Sequence, residues 1–116
     1  MDDIYKLREY GESAVVAFQT SSLMNAADME RLRADLIRLV DQEKRTHLIL
    51  DFRRVQFVTS QMIGILLTLN KKLAAVPGAA PLVLCGVGPQ VLELLKISRL
   101  DRILTIKGSR KEALGI

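Results

Sequence analysis

The sequence predicts an α/β fold: a mixed β-sheet of four to five strands flanked by about four helices, in a single domain over residues 1–116. Two patterns carry that prediction. Short apolar, β-branched runs alternate with longer segments whose apolar residues recur every three or four positions. One run, "HLILDF", is apolar on consecutive positions and ends in an acid, as expected of a strand buried on both faces of a sheet. With 116 residues, 49% of them apolar, the chain can bury a core without covalent staples. Having no Trp, two Tyr and three Phe, it must build that core from Leu, Ile, Val and Ala.

In chain order, "DIYKLREYGESAVVAFQ" reads as two short strands around a turn. Gly11-Glu12-Ser13 supplies the turn chemistry, and "AVVAF" supplies the β-branched run. Within "TSSLMNAADMERLRADLIRLVDQEKR", Met29, Leu32, Leu36, Leu39 and Val40 fall on one helical face. Glu30, Arg31, Asp35, Arg38 and Asp41 fall on the other, and Asn25 or a nearby Ser is the N-cap. After "HLILDF" and "RRVQFV" the pattern changes at Thr59-Ser60, where "QMIGILLTLNKKLAAV" begins a second helix. Its stripe is Met62, Ile63, Leu66, Leu69 and Leu73, broadened by Ile65 and Leu67, which predicts deeper burial than for the first helix. Gly64 costs that helix up to ~1 kcal/mol relative to Ala; a close approach to a neighbouring backbone would explain it. "PGAAP" is a loop and "LVLCGV" a strand. "GPQVLELLKIS" is a short helix with Pro89 in its first turn, "RILTI" the last strand, and "SRKEALG" a closing helical turn or two. The order β-β-α-β-α-β-α-β-α implies parallel crossovers with helices packed on the sheet.

Charge is unevenly spread. Residues 1–52 carry seven Lys or Arg against ten Asp or Glu, and residues 53–116 carry ten against three, giving −3 and +7. The cations of the second part form no long run and have no aromatic platform among them, so a solvated surface is expected and no direct nucleic-acid binding. "MDDIYKLREY" opens with two acids and lacks an apolar secretion core, and no stretch is long and apolar enough to span a membrane. A soluble, cytoplasmic protein with no membrane insertion is expected.

The side chains argue against an enzyme. His47 is the only histidine and opens a strand without a nucleophile nearby in sequence. A single cysteine, Cys85 in "PLVLCG", allows no intramolecular disulfide and reads as a buried small hydrophobe. With no carboxylate cluster, no metal is expected. The glycines of "CGVGPQ" fit neither phosphate-loop nor dinucleotide spacing, so no cofactor is expected. Asp51, without a partner carboxylate, reads as a hydrogen-bond acceptor that fixes a loop.

"HLILDFRRVQFVTSQMIGILLTLNKKL" resembles the heart of a STAS domain, the fold of bacterial anti-sigma factor antagonists. There an apolar strand ends in Asp, and a short turn leads to Asp-Ser before a helix containing glycines. "LVLCGVGPQVLELLKISRLDRILTI" is similar to that family's later strand, helix start and Leu-Asp turn, and "SRKEAL" to its closing helix. The resemblance implies partner switching: binding to an anti-sigma factor that is also a serine/threonine protein kinase, which phosphorylates a Ser at the start of the second helix. That Ser falls on Ser60, with Thr59 as the alternative acceptor because it stands where the family has Asp. Gln61 and Met62 replace a small residue and a Gly, and Gly64 keeps its place. The implied partner-binding surface is Ser22, Asn25, Gln56, Thr59, Ser60, Gln61 and Met62. A non-phosphorylated scaffold, or a cytoplasmic subunit of a transport or signalling assembly, is the alternative role within the same family.

Elementary physics allows either use of the Thr-Ser pair. A helix start leaves four unpaired N–H groups and a partial positive charge, which a hydroxyl can cap and a phosphate can occupy. Capping and modification are compatible.

Overall fold

The computed structural model describes residues 4–43 and 45–116; the acids Asp2 and Asp3, and Lys44 at the end of the first helical segment, lie outside the described residues. Strands β1 (Tyr5–Tyr10) and β2 (Ser13–Phe18) form an antiparallel hairpin with Tyr10 opposite Ser13. The turn between them puts Gly11 at φ +60°, a left-handed conformation that favours glycine. After a two-residue strand β3 (Ser22–Leu23) come helix α1 (Ala26–Asp41), strand β4 (His47–Asp51) and a second two-residue strand, β5 (Phe57–Val58). The chain continues through α2 (Ser60–Ala74), β6 (Val83–Cys85), α3 (Pro89–Ile97), a 3₁₀ turn at Leu100–Arg102, β7 (Thr105–Lys107) and α4 (Arg110–Leu114).

The five-stranded sheet has the order β1-β2-β4-β6-β7, and every pairing except β1–β2 is parallel. The mixed sheet and four helices are those expected. Apolar on consecutive residues, β4 lies in the middle with Leu48, Ile49 and Leu50 all buried. One face, including Val16, Leu50 and Leu84, packs with Leu32 and Leu36 of α1 and Leu66 and Leu69 of α2. Phe18 and Phe52 meet edge to face in this core, their ring centroids 4.9 Å apart. The other face is thinner: Val15, Ile49 and Cys85 lie under Ala113 and Leu114. Cys85 is the buried hydrophobe the sequence suggests. Burial first, then the nearby Asp51 charge, pushes its thiol up to about 12.

Asp51 ends β4 with only 6% of its surface exposed. One carboxylate oxygen accepts from the Arg53 N–H at 3.0 Å, and the other accepts from Arg110 Nε at 2.9 Å, with Arg110 Nη2 also at 2.9 Å. Arg110 reaches Tyr10 as well, donating to its hydroxyl at 3.4 Å. The closing helix is thereby tied to the middle of the sheet and to the hairpin. Asp51 is the loop-fixing acceptor that the sequence suggests, with an ion pair added.

Several expectations need correction. Ahead of the Asn25 cap lies a short strand that the sequence reading did not foresee: Ser22 and Leu23 pair with Phe57 and Val58 in a separate two-stranded parallel sheet. The α2 stripe is Met62, Ile65, Leu66, Leu69 and Leu73; Ile63 is half-buried and Leu67 exposed. Met62 is thus a core residue at 0% exposure and offers no contact surface, because the helix start rotates it toward the sheet. Helices α1 and α2 bury five side chains each, but eight of the sixteen residues of α1 are exposed against five of the fifteen of α2, so the second helix is the more buried, as expected. Gly64 is exposed, and a Cβ there would meet nothing within 4 Å, so no close approach accounts for it. The last strand is shorter than "RILTI": Leu100–Arg102 is a 3₁₀ turn and Ile103 is exposed.

Two stability outcomes follow. Gly64→Ala should raise stability by about 0.5–1 kcal/mol, read as a higher urea midpoint at unchanged slope; a lower midpoint would contradict the open space at that position. Arg110→Gln strands a buried carboxylate and should lower stability by about 2 kcal/mol. Combining it with Asp51→Asn should return part of that loss, in a double-mutant cycle by urea denaturation.

Candidate functional site

The two-residue ladder builds the surface around Ser60. Its register sets Ser22 beside Phe57 and Leu23 beside Val58, and the N–H groups of Gln56 and Phe57 both donate to the Ser21 carbonyl, at 2.7 and 3.0 Å. The segment before α1 and the segment before α2 are therefore stitched together although more than thirty residues separate them. Asn25 caps α1 as expected, its Oδ1 accepting from the Asp28 N–H at 3.0 Å. Of the residues expected at this surface, Ser22, Asn25, Gln56 and Ser60 are exposed, Thr59 and Gln61 are half-buried, and Met62 is buried.

Thr59 holds the N-cap position of α2 with φ −95° and ψ 168°, and its carbonyl accepts from the Met62 N–H at 3.0 Å. Its side chain makes no cap bond. The Thr59 Oγ1 is buried with no hydrogen-bond partner among the described residues. Ser60 is the first residue of α2, and no acid lies in the first turn. Gln61 turns toward α1, its Nε2 donating to Glu30 Oε1 at 3.4 Å.

Two residues of this surface escaped the sequence reading. Phe57 is 48% exposed and Met24, which follows the register partner of Val58, is 54% exposed. A hollow of about 300 Å³ adjoins, lined by Gln56, Phe57, Gly88, Pro89 and Gln90, so the start of α3 borders the same region. The signal for Phe57 was weak: an aromatic inside "VQFVT", where no alternation shows which face it takes. Pro89 sits in the first turn of α3 as read from the sequence.

No hydrogen bond joins Ser60 to a histidine or a carboxylate among the described residues, and His47 lies at the opposite end of β4 from Asp51. Among the described residues no group of three His, Cys, Asp or Glu is placed to hold a metal ion. No helix of the described residues is long and apolar enough to cross a membrane.

Comparison with known proteins gives this geometry a family. The STAS domain family matches residues 7–113. The candidate anti-sigma factor antagonist BtrV of Bordetella bronchiseptica is 34% identical over 91 residues, covering 78% of this chain and 76% of that protein. Among solved structures, a STAS domain anti-sigma-factor antagonist protein from Planctomyces limnophilus superposes with a TM-score of 0.82 at 18% identity, covering 95% of this chain and 93% of the other. The Bacillus cell fate determinant SpoIIAA in its phosphorylated form superposes with a TM-score of 0.74 at 23% identity, covering 96% of both chains. Sequence family, relative and fold agree: the chain belongs to the STAS domain family.

Proposed function

We propose that this domain is a non-enzymatic regulatory binding protein of the anti-sigma factor antagonist kind. It docks an anti-sigma factor that is also a serine/threonine kinase through the surface around Ser60, and phosphorylation of Ser60 releases it. One observation carries the reading: Ser60 is exposed at the first position of α2, in an acid-free turn, with exposed Phe57 close by in the chain. An exposed aromatic beside small polar residues is the composition of a protein contact. Thr59 is the poorer acceptor, because its hydroxyl oxygen is buried.

Gly64 supports the same face. It lies four residues after Ser60, hence one turn along the same side of α2, and it is exposed. The helix would be more stable with Ala there, and the fold leaves room for the extra carbon. A glycine that the fold does not need, on the face that carries the hydroxyl, suits a partner packed closely against bare backbone.

The electrostatics suit a switch. A phosphate adds close to two negative charges to a patch with no charge in the helix's first turn, where free N–H groups stabilise it locally. Against a desolvated or acidic partner surface the same charge is unfavourable, and each ~1.4 kcal/mol of that cost weakens binding tenfold.

Incubation with an anti-sigma factor kinase and ATP, followed by mass spectrometry, should place one phosphate on Ser60. Ser60→Ala should abolish it and Thr59→Ala should not. Ser60→Asp should weaken the complex by about tenfold or more, and Gly64→Ala should weaken it while raising stability. A phosphate-free protein whose Ser60→Asp form binds with unchanged affinity would point instead to a scaffold or assembly subunit.

A further inference from the structure

Ten of the chain's cations lie beyond residue 52. Arg53, Arg54, Arg110 and Lys111 line a basic hollow at the carboxyl ends of the strands. Three others, Lys96, Arg99 and Arg102, stand at the opposite end of the molecule. Helix α3 starts beyond the carboxyl end of β6 and returns along the sheet, and the 3₁₀ turn at Leu100–Arg102 then leads into β7, which is parallel to β6. Residues 96–103 therefore cover the amino ends of the strands, whereas Ser60 starts a helix at their carboxyl ends.

Apolar and basic side chains alternate on the surface of this turn. Ile97 is 71% exposed and Ile103 50%, while Leu100 and Leu104 are buried and anchor the segment. Its backbone is tightly bonded: the Arg99 N–H donates to the Lys96 carbonyl at 3.0 Å, and the Leu104 N–H to the Leu100 carbonyl at 2.9 Å. Lys96, Arg99 and Arg102 are exposed, and none has an ion pair or a side-chain hydrogen bond among the described residues. With the half-buried Asp101, residues 96–103 carry a formal three minus one, or +2. Glu93, the exposed acid of α3, stands a full turn back toward the other end of the molecule.

The dipole of α3 accounts for Lys96, since a cation in a helix's last turn is favoured. It does not account for Arg99. At φ 60° and ψ 18°, just past the Ser98 cap, Arg99 holds the left-handed conformation that helix ends ordinarily give to glycine. Among the described residues it is the only non-glycine with positive φ. The backbone is better served by Gly, yet the chain keeps a long cation there, between two exposed isoleucines in sequence.

We propose that this tip docks on the surface of an anionic lipid bilayer: Ile97 and Ile103 enter the headgroup boundary, and Lys96, Arg99 and Arg102 meet lipid phosphates. The domain then lies on the membrane without crossing it. A stable protein interface takes about 800 Å² from each partner, and a protruding eight-residue turn with two exposed apolar side chains offers much less. A bilayer surface moulds to a small protrusion, and its anionic headgroups supply the potential that draws cations. Lys and Arg suit that boundary, with apolar stems and charged ends. Residues 96–103 include no aromatic on which a nucleic-acid base could stack. In this orientation the Ser60 surface faces away from the lipid, open to a protein. The proposal does not rest on the Ser60 reading.

The test is flotation of the full chain with phosphatidylcholine vesicles, with and without about a third phosphatidylglycerol. Binding to the anionic vesicles alone is expected, half-saturated at about 0.1–1 mM accessible lipid and weakening as salt rises. Ile97→Ser/Ile103→Ser should bind at least about tenfold more weakly, with its melting temperature unchanged. Arg99→Gly should weaken binding by about fivefold while its melting temperature stays the same or rises, a combination that loss of fold cannot produce. Arg53→Gln/Lys111→Gln, at the opposite end, should bind as the parent does. Absence of flotation with anionic vesicles at low salt overturns the proposal. So does binding that the isoleucine pair leaves unchanged or that the Arg53/Lys111 pair abolishes, since either means adsorption of the basic chain at large. A lipid-free dimer that the isoleucine variant dissociates, without vesicle binding, assigns the tip to a second copy and overturns it as well.

Discussion

Asp51 places a carboxylate where the central strand runs out, under cover of the closing helix. Taking such a group from water costs several kcal/mol unless hydrogen bonds and an opposite charge replace what the water provided. Here the Arg53 N–H and the Arg110 guanidinium do so. Much of the molecule follows from that replacement. Arg110 can reach Asp51 only if α4 lies across the second face of the sheet, and α4 is what covers Val15, Ile49 and Cys85. The Arg53 bond bends the chain sharply out of β4, and Phe52 N–H to the Cys85 carbonyl at 2.8 Å fixes the exit. Six residues after Asp51 the chain enters β5, and Ser60 follows.

Parallel strands bring their carboxyl ends to one edge, and that edge is where loops can converge without disturbing the core. Both the Ser60 surface and the basic hollow form there, from chain that leaves β4, β6 and β7. They differ in charge. The start of α2 is free of acids and bases in its first turn, whereas Arg53, Arg54, Arg110 and Lys111 surround the hollow.

What could be read from the sequence was whatever a local pattern dictates. The double-sided burial of "HLILDF", the Asn25 cap, Pro89 in its first turn and the burial of Cys85 each follow from a few neighbouring residues. What could not be read depends on partners far along the chain. Two-residue strands such as β3 and β5 have no period, and only their mutual pairing reveals them. The exact edge of the α2 stripe depends on where the helix starts, since a shift of one residue turns a helix by about 100°: Met62 is buried with the stripe, whereas Ile63 is half-buried and Leu67 exposed. The basic hollow draws Arg53 and Lys111 together across more than fifty residues, with no run or motif to announce it.

The amino end of α2 departs from the simplest expectation in a way that narrows its use. A Thr at an N-cap ordinarily satisfies one of the free N–H groups with its side chain, contributing about 1 kcal/mol. Thr59 does not; its oxygen is buried and unpartnered, so the position loses the cap bond and bears a desolvation cost as well. Gly64, one turn further along, forgoes helix stability that Ala would supply in open space. Two concessions within six residues, neither compensated by any contact within the described residues, fall at the start of α2: a buried oxygen at Thr59 and a glycine on the exposed side at Gly64. Local disfavour of this kind concentrates at functional positions, where a conformation is kept for what it presents rather than for what it stabilises. What these two residues flank is Ser60, and on the reading proposed above a partner would pack against the bare backbone at Gly64, while the helix's own free N–H groups would meet a phosphate on Ser60.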